Sequence, residues 1–272
     1  ARTDKDFLPA ASMVYTLTPK MNLRAAYSWT LARPRFRELA KFLYIDYARR
    51  RAVSGNPLLE ETRIHNADLR WEWFFGETEV VAASLFYKNF RNPIEQVIVS
   101  AANGDVSFAN AASATAIGAE LEGRIGLGLI SPALSRFKVG ANLSLINSKI
   151  ELTEDQVMSQ TSKERLLQGQ SPYVVNATIG YEDKPSGLYL NAFYNVSGRR
   201  IAEVGFDSLP DVYEQPFHRL DVAGSKRIGH KWKLKLAATN LLNQKVQLKQ
   251  GPLQILGYQP GVAFKATLEW SY

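Results

Sequence analysis

Polar and apolar side chains alternate one by one along this chain, in runs too long for an ordinary soluble sheet. From Asn22 to Thr30, Leu23, Ala25, Tyr27 and Trp29 fall on one side and Arg24, Ala26, Ser28 and Thr30 on the other. Asn66 to Trp73 repeats the pattern, with Ala67, Leu69, Trp71 and Trp73 against Asn66, Asp68, Arg70 and Glu72. Trp232 to Thr239 repeats it again. In the last segment Val262, Phe264, Ala266, Leu268, Trp270 and Tyr272 oppose Ala263, Lys265, Thr267, Glu269 and Ser271. A period of two is the period of a β-strand.

Strands are expected at 9–17, 22–32, 63–75, 79–90, 114–126, 137–150, 170–182, 188–198, 217–228, 232–240 and 261–272. Strands of soluble sheets average about 5 to 6 residues, whereas about 9 to 11 cross a bilayer when tilted. Most of the runs here have the second length. The connections also alternate. Thr18-Pro19-Lys20-Met21, Gly76-Glu77-Thr78, the stretch from Asp183 to Gly187 and Gly229-His230-Lys231 are short, and 127–136 has turn composition. Between them lie long links at 33–62, 91–113, 151–169, 199–216 and 241–260. Short turns at one end and long loops at the other mark an outer-membrane barrel, with the short turns periplasmic. On that reading the last strand runs inward and ends at the periplasmic rim.

Aromatic side chains gather at matching depths. Trp71, Trp73, Tyr181, Trp232, Trp270 and Tyr272 fall near the short-turn ends, and Trp29, Tyr87, Tyr173, Tyr194 and Phe264 fall nearer the long-loop ends. Two such girdles sit at headgroup level in membrane barrels; the alternative source is the ordinary strand propensity of aromatic residues. The opposite face carries charges in mid-strand, among them Arg24, Arg70, Glu120, Glu122, Arg124, Lys138, Arg219, Asp221, Lys235 and Lys265. Unpaired in a dry core they would be costly; in a hydrated interior they are not. The expected fold is therefore all-β, a transmembrane antiparallel barrel of which this chain supplies about eleven strands.

Composition narrows the chemistry. There is no cysteine, which excludes a disulfide framework and a thiolate metal site. The three histidines, His65, His218 and His230, are not at metal-ligand spacing, so no metal site and no cofactor are expected. No serine sits in a G-x-S-x-G elbow, and Gly126 with Gly128 makes a lone G-x-G, so no enzyme activity is expected. The formal charge of +7 would suit nucleic acid, but the cations are mostly spread at alternate strand positions rather than in a stripe, and no nucleic-acid partner is expected.

The link at 33–62 is the richest in binding chemistry. Arg33, Arg35, Arg37, Lys41, Arg49, Arg50 and Arg51 are interleaved with Phe36, Phe42, Tyr44 and Tyr47. Arginine and aromatic side chains suit an anionic or ring-bearing ligand. Arg33, Arg35, Arg37, Tyr44, Tyr47, Arg49 and Arg50 form the candidate ligand-binding set; attraction to an anionic membrane surface and plain loop packing are the competing readings. A small hairpin is expected over 94–99 and 106–108, turning at Asn103-Gly104.

Several segments resemble the C-terminal half of a TonB-dependent outer-membrane receptor. They are Ala25-Ala26-Tyr27-Ser28-Trp29-Thr30 with Ala32-Arg33-Pro34 and Phe36-Arg37-Glu38-Leu39, then Gly55-Asn56-Pro57-Leu58, then Ser84-Leu85-Phe86-Tyr87-Lys88 with Asn92-Pro93-Ile94. Asn240-Leu241-Leu242-Asn243 is similar to the family's N-L-x-N motif, and the terminal Tyr272 stands where phenylalanine is more usual. The order and spacing of these motifs extend over the whole chain.

The resemblance implies residues 1–272 as the C-terminal portion of a barrel whose plug domain and N-terminal strands are not in this chain, so the missing strands come from the same or another chain. It implies TonB-coupled uptake of a scarce nutrient (an iron chelate, a cobalamin or a glycan) across the bacterial outer membrane. The implied partners are outer-membrane lipid, a small nutrient ligand and an energy transducer acting through the absent plug. The alternatives are a passive porin-like channel, a structural barrel subunit, or a soluble carbohydrate-binding β-protein.

Overall fold

In the computed structural model, residues 5–49, 51–100 and 104–271 are described. Eleven long strands form one antiparallel sheet in chain order: β1 (Ala10–Thr18), β2 (Met21–Ala32), β3 (Thr62–Phe74), β4 (Val80–Arg91), β5 (Ser113–Gly126), β6 (Phe137–Glu151), β7 (Tyr173–Asp183), β8 (Leu188–Ser197), β9 (Phe217–Ile228), β10 (Trp232–Thr239) and β11 (Ala263–Trp270). Each strand pairs with its neighbour in sequence, across the short turns and across the long links alike. Strands β1 and β11 are the two edges, and the sheet does not close on itself. Every expected strand is present with its ends within a few residues. Tyr272 and Asn103 lie outside the described residues, but Gly104 turns with φ +66° inside the expected hairpin, Ile94–Ile98 with Val106–Asn110.

Because successive side chains point to opposite faces, register decides what each face carries. The pairings align the apolar positions into continuous rows. Leu23 faces Trp71, which faces Ala83, which faces Leu121, which faces Leu143, which faces Val175. At the short-turn end Trp232 pairs with Trp270, their rings 6.2 Å apart. This face is not a core. Leu85 is 60% exposed, Leu236 54% and Leu268 59%. An apolar surface of that extent needs a cover other than water.

The other face is polar and internally bonded. The Arg24 guanidinium donates to Glu72 at 2.7 Å, and Arg70 donates to Glu72 at 2.9 Å and to Glu122 at 2.7 Å. Further round the sheet, Asn195 donates to Asn176 at 2.6 Å and Asn176 to Asn142 at 2.7 Å. Opposite charges and amides on adjacent strands satisfy one another at these positions, so the face stays polar.

The five long links all lie at one end, and they fold. One four-stranded sheet has the order Leu43–Asp46, Arg51–Ser54, Val106–Asn110, Ile94–Ile98, and another the order Arg200–Glu203, Val212–Glu214, Val246–Gln250, Leu253–Tyr258. A bridge between Val97 and Val204 joins them. The largest fully buried side chains are Ile150, at the outer end of β6, and Ile201, Glu95, Glu203, Val106, Val204 and Val212, all in these links. Among the described residues the largest dry side chains are therefore mostly in the cap, while the wall strands bury chiefly small ones such as Ala82, Ala114 and Ala116.

The N-L-x-N segment shows how the cap is anchored. Asn240 and Asn243 hold positive φ, 57° and 46°, a region asparagine tolerates better than most residues. The Asn240 N–H donates to Asp221 at 2.8 Å, and its side-chain amide donates to the Gly261 carbonyl at 2.7 Å. The motif thus ends β10 and clamps both ends of the following link.

Candidate functional site

The link between β2 and β3 carries the candidate ligand set, and its path is fixed by local chemistry. After Pro34, the Arg35 N–H donates to the Glu38 carboxylate at 2.8 Å and starts a one-turn helix, Phe36–Leu39. Strand Leu43–Asp46 follows. The Asp46 carboxylate accepts from the N–H groups of Ala48, at 3.1 Å, and Arg49, at 3.3 Å, and reverses the chain into Arg51–Ser54. Gly55 then passes so close to the helix that a Cβ would lie 2.3 Å from the Ala40 carbonyl oxygen. Asn56 donates through its backbone to Glu38 at 2.6 Å and through its amide to the Phe108 carbonyl at 3.0 Å. Leu59 is buried beyond it. The Gly55-Asn56-Pro57 segment is therefore a clasp between this link and its neighbouring hairpin.

Within that frame the seven candidate residues separate. Arg37 stands 6.0 Å from the centre of the Tyr44 ring, and Phe42 and Tyr44 are 6.3 Å apart, so these three lie together. Tyr44 backs onto the buried cluster of Val53, Ile98 and Val106. Tyr47 at the turn is 87% exposed, and Phe36 is 81% exposed. Arg35 is exposed beside the helix. Arg33 faces away from this group; it pairs with Asp6 and lies near Glu61, on the rim of a groove of about 1080 Å³ shared with Lys5, Glu60 and Arg63. Arg49 contacts the Glu203 carboxylate. Arg50 lies outside the described residues.

The dominant electrostatic feature was not legible in the sequence. Arg51 donates to both oxygens of Glu203, at 2.5 Å each, and both side chains are buried. Burial and the neighbouring Arg49 lower the Arg51 guanidinium to about 10, against Asp46, Asp105 and Tyr44, so it remains charged at neutral pH. Burial likewise lowers Arg49, opposed by Asp46 and Glu214. A second two-pronged pair joins Arg165 to Glu95 at 2.8 and 2.6 Å, with Gln160 accepting from Arg165 at 3.0 Å. Gln168 donates to the carbonyls of Gln96 and Ala202, both at 2.9 Å, and ties the two small sheets together. One signal was available. Glu203 shares strand parity with Ile201, and such a carboxylate within a buried face requires a cation. Its partner, 152 residues away, cannot be read from parity.

Among the described residues no group of three or more acidic or histidine side chains is placed to hold a metal ion. No helix of the described residues is long and apolar enough to cross a membrane, which says nothing against crossing by strands.

A long meander with one apolar exposed face, one polar face and a folded cap over its long-link end is the wall of a membrane β-barrel. The chain belongs to the TonB dependent receptor-like, beta-barrel family, whose model matches residues 1–241. Its fold is also that of two solved siderophore-class receptors and a copper transporter. The ferric enterobactin receptor of Pseudomonas aeruginosa, solved with enterobactin, is 16% identical with a TM-score of 0.66, over 98% of this chain and 41% of that one. The siderophore receptor PirA of Acinetobacter baumannii is 14% identical with a TM-score of 0.64, over 98% and 41%. The copper transporter OprC is 16% identical with a TM-score of 0.67, over 97% and 38%. The chain thus spans about two fifths of the length of these structures. No curated protein matches it in sequence.

Proposed function

We propose that this chain is the C-terminal part of a bacterial outer-membrane receptor that captures a scarce nutrient outside the cell and imports it by TonB-coupled transport. The apolar face is the lipid-facing wall, the polar face lines the interior, and the cap is extracellular. The observation that carries this reading is the cap itself. The long links fold into two sheets held by buried ion pairs and present Arg37, Phe36, Phe42 and Tyr47 outward, a fixed surface of the kind a ligand is captured on. Fixed aromatic and guanidinium groups on a stiff base lower the ordering cost of binding.

The favoured ligand class is an anionic, ring-bearing iron chelate, because arginine and aromatic faces complement it. The neighbours that bind enterobactin or act as siderophore receptors support that choice, and a cobalamin or a glycan is the alternative. Arg35, Arg37, Tyr44 and Tyr47 form the proposed contact set, with Arg33 at the adjoining groove and Arg49 holding the turn. The remaining wall strands and a gating plug come from the same or another chain, and a periplasmic transducer drives the plug.

The test is uptake of radiolabelled ferric chelates by cells carrying the full-length receptor, with and without the energy transducer. Uptake that requires the transducer and falls about tenfold in Arg37→Ala with Tyr47→Ala supports the proposal. Transducer-independent, non-saturating entry shows a passive channel instead.

A further inference from the structure

The two small cap sheets follow the order of the wall beneath them. Their outermost strands come from the first and the last long link, and the Val97 and Val204 bridge brings their inner ends together. At the outer ends, Leu43–Asp46 and Leu253–Tyr258 each have one side without a strand partner among the described residues.

These two edges differ. Leu253–Tyr258 is blunted: a register shift interrupts its pairing between Leu248 and Lys249, and Pro252 and Pro260 flank it. Leu43–Asp46 has none of these devices. It pairs in regular register with Arg51–Ser54, contains no lysine or proline, and leaves Leu43 64% and Ile45 45% exposed. Folded proteins guard such edges, because free N–H and C=O groups beside apolar side chains recruit another strand. The direction of the open groups is fixed. The Ala52 N–H turns away from its opposite residue, Ile45, and donates to the Asp105 carboxylate at 2.9 Å. In an antiparallel pair of that kind the main-chain groups of both residues point away from each other. The N–H and C=O of Ile45 and, by the period of two, of Leu43 therefore point outward.

The start of the wall supplies the occupant. Strand β1 begins at the long-link end: Ala10 lies opposite Ser28, and the Trp29 N–H donates to the Pro9 carbonyl at 2.9 Å. Just ahead of it, Asp6 pairs with Arg33 at the root of the first long link, and Lys5 and Asp6 share the groove of about 1080 Å³ with Pro34, Leu39, Pro57 and Leu59. A link leading into β1 thus arrives beside the link that carries Leu43–Asp46.

We propose that the outer edge of Leu43–Asp46 pairs with an extended segment of the long link that leads into β1 in the full-length receptor. The inference rests on the reading that further wall strands precede this chain. Main-chain bonds at Leu43 and Ile45 give the pairing its affinity, and the added segment covers both side chains. The consequence falls on ligand capture. Tyr44 lies in this strand and Tyr47 just after it, so both are held from two sides rather than from Arg51–Ser54 alone.

The test installs benzoylphenylalanine in place of Ile45, and separately in place of Leu58, in the purified full-length receptor. Leu58 is exposed in the same link but lies off the edge strand. Irradiation, digestion and mass spectrometry map the cross-links. The expected result is a cross-link from position 45, and not from 58, to the link ahead of β1 within one polypeptide. A second variant reads the main-chain bond. Proline is tolerated on an edge whose N–H faces solvent, and not where that N–H is bonded. Amide exchange over 43–54 is expected to rise about tenfold in Ile45→Pro and to stay unchanged in Ile45→Val, which keeps the N–H. A cross-link confined to 1–272, a cross-linked dimer, no cross-link, or exchange in Ile45→Pro equal to wild type each overturns the proposal. Neither readout uses a nutrient ligand, so failure here is separate from failure of the uptake test. A gene that encodes no strand ahead of β1 overturns both this pairing and the receptor reading.

Discussion

The Arg51 guanidinium grips both oxygens of the Glu203 carboxylate, 2.5 Å each, and ties a strand of the first long link to a strand of the fourth. The wall strands of both links are separately paired to their own neighbours, so this contact holds the cap and not the barrel. Removing one partner of such a buried pair costs about 3 to 5 kcal/mol, because the charge left behind has no water. Glu203→Gln therefore loosens the cap. The expected outcome is protease nicking within 33–61 and 198–216, with the heat-shifted mobility of the barrel unchanged. The Arg165 and Glu95 pair allows a sharper comparison. Glu95→Gln alone has a similar cost, whereas Arg165→Met with Glu95→Leu is close to neutral, since apolar replacements remove both desolvation penalties. Hydrogen exchange of the cap amides measures both, and equal loosening in the single and double variants would count against this account.

Gly55 is required by space. A Cβ there would meet the backbone of Ala40 and Arg37 at 2.3 to 2.8 Å, and backbone does not give way as a side-chain tip does. Gly55→Ala is expected to destabilise the clasp by about 1 to 3 kcal/mol and to weaken ligand capture while the wall stays intact. Gly123, whose Cβ would meet nothing within 4 Å, is the control: Gly123→Ala should be neutral or slightly stabilising. Exchange rates over 36–58 that match wild type in Gly55→Ala would show that Gly55 does not hold the clasp.

Glu79 ends the turn between β3 and β4 at the opposite rim. Its carboxylate accepts from the Thr78 N–H at 3.0 Å, the Thr78 hydroxyl at 3.1 Å and the Gly126 N–H at 3.3 Å. These bonds favour the ionised form, the Thr78 backbone most, and lower its pKa below the ordinary 4.5. A carboxylate depressed in the folded state contributes stability above its unfolded value and loses it as pH falls through the lower folded value. The contribution is small because the turn is exposed. Carbon-detected NMR of the labelled glutamates should show Glu79 titrating below 4.5, and Thr78→Val, which deletes one donor, should move it part of the way back.

The wall was almost wholly legible in the sequence. Alternation at Leu23, Ala25, Tyr27 and Trp29, or at Phe264, Ala266, Leu268 and Trp270, gives strand identity, strand length and face in one observation, because a strand's side chains have a strict period of two. Link lengths then fixed the five hairpins, since a two- to ten-residue connection leaves only the adjacent antiparallel position, while the pairing of one hairpin with the next across a long link followed from the barrel reading. The motifs were visible as patterns, but their reasons were not. Gly55 and Asn56 act on Ala40, Glu38 and Phe108, and Asn240 acts on Asp221 and Gly261; none of these partners is implied by spacing.

The sequence by itself determined an eleven-stranded amphipathic wall with long links at one end, because that information is local and periodic. Only the tertiary structure decided that the links fold into two sheets, that Arg49 and Arg51 turn inward to Glu203 while Arg37 and Tyr47 stay outward, and that Leu43–Asp46 stands at an outer edge of the cap. Those outcomes depend on pairings between residues far apart in the chain, selected by which buried charge finds its counter-charge and which strand register brings side chains into line.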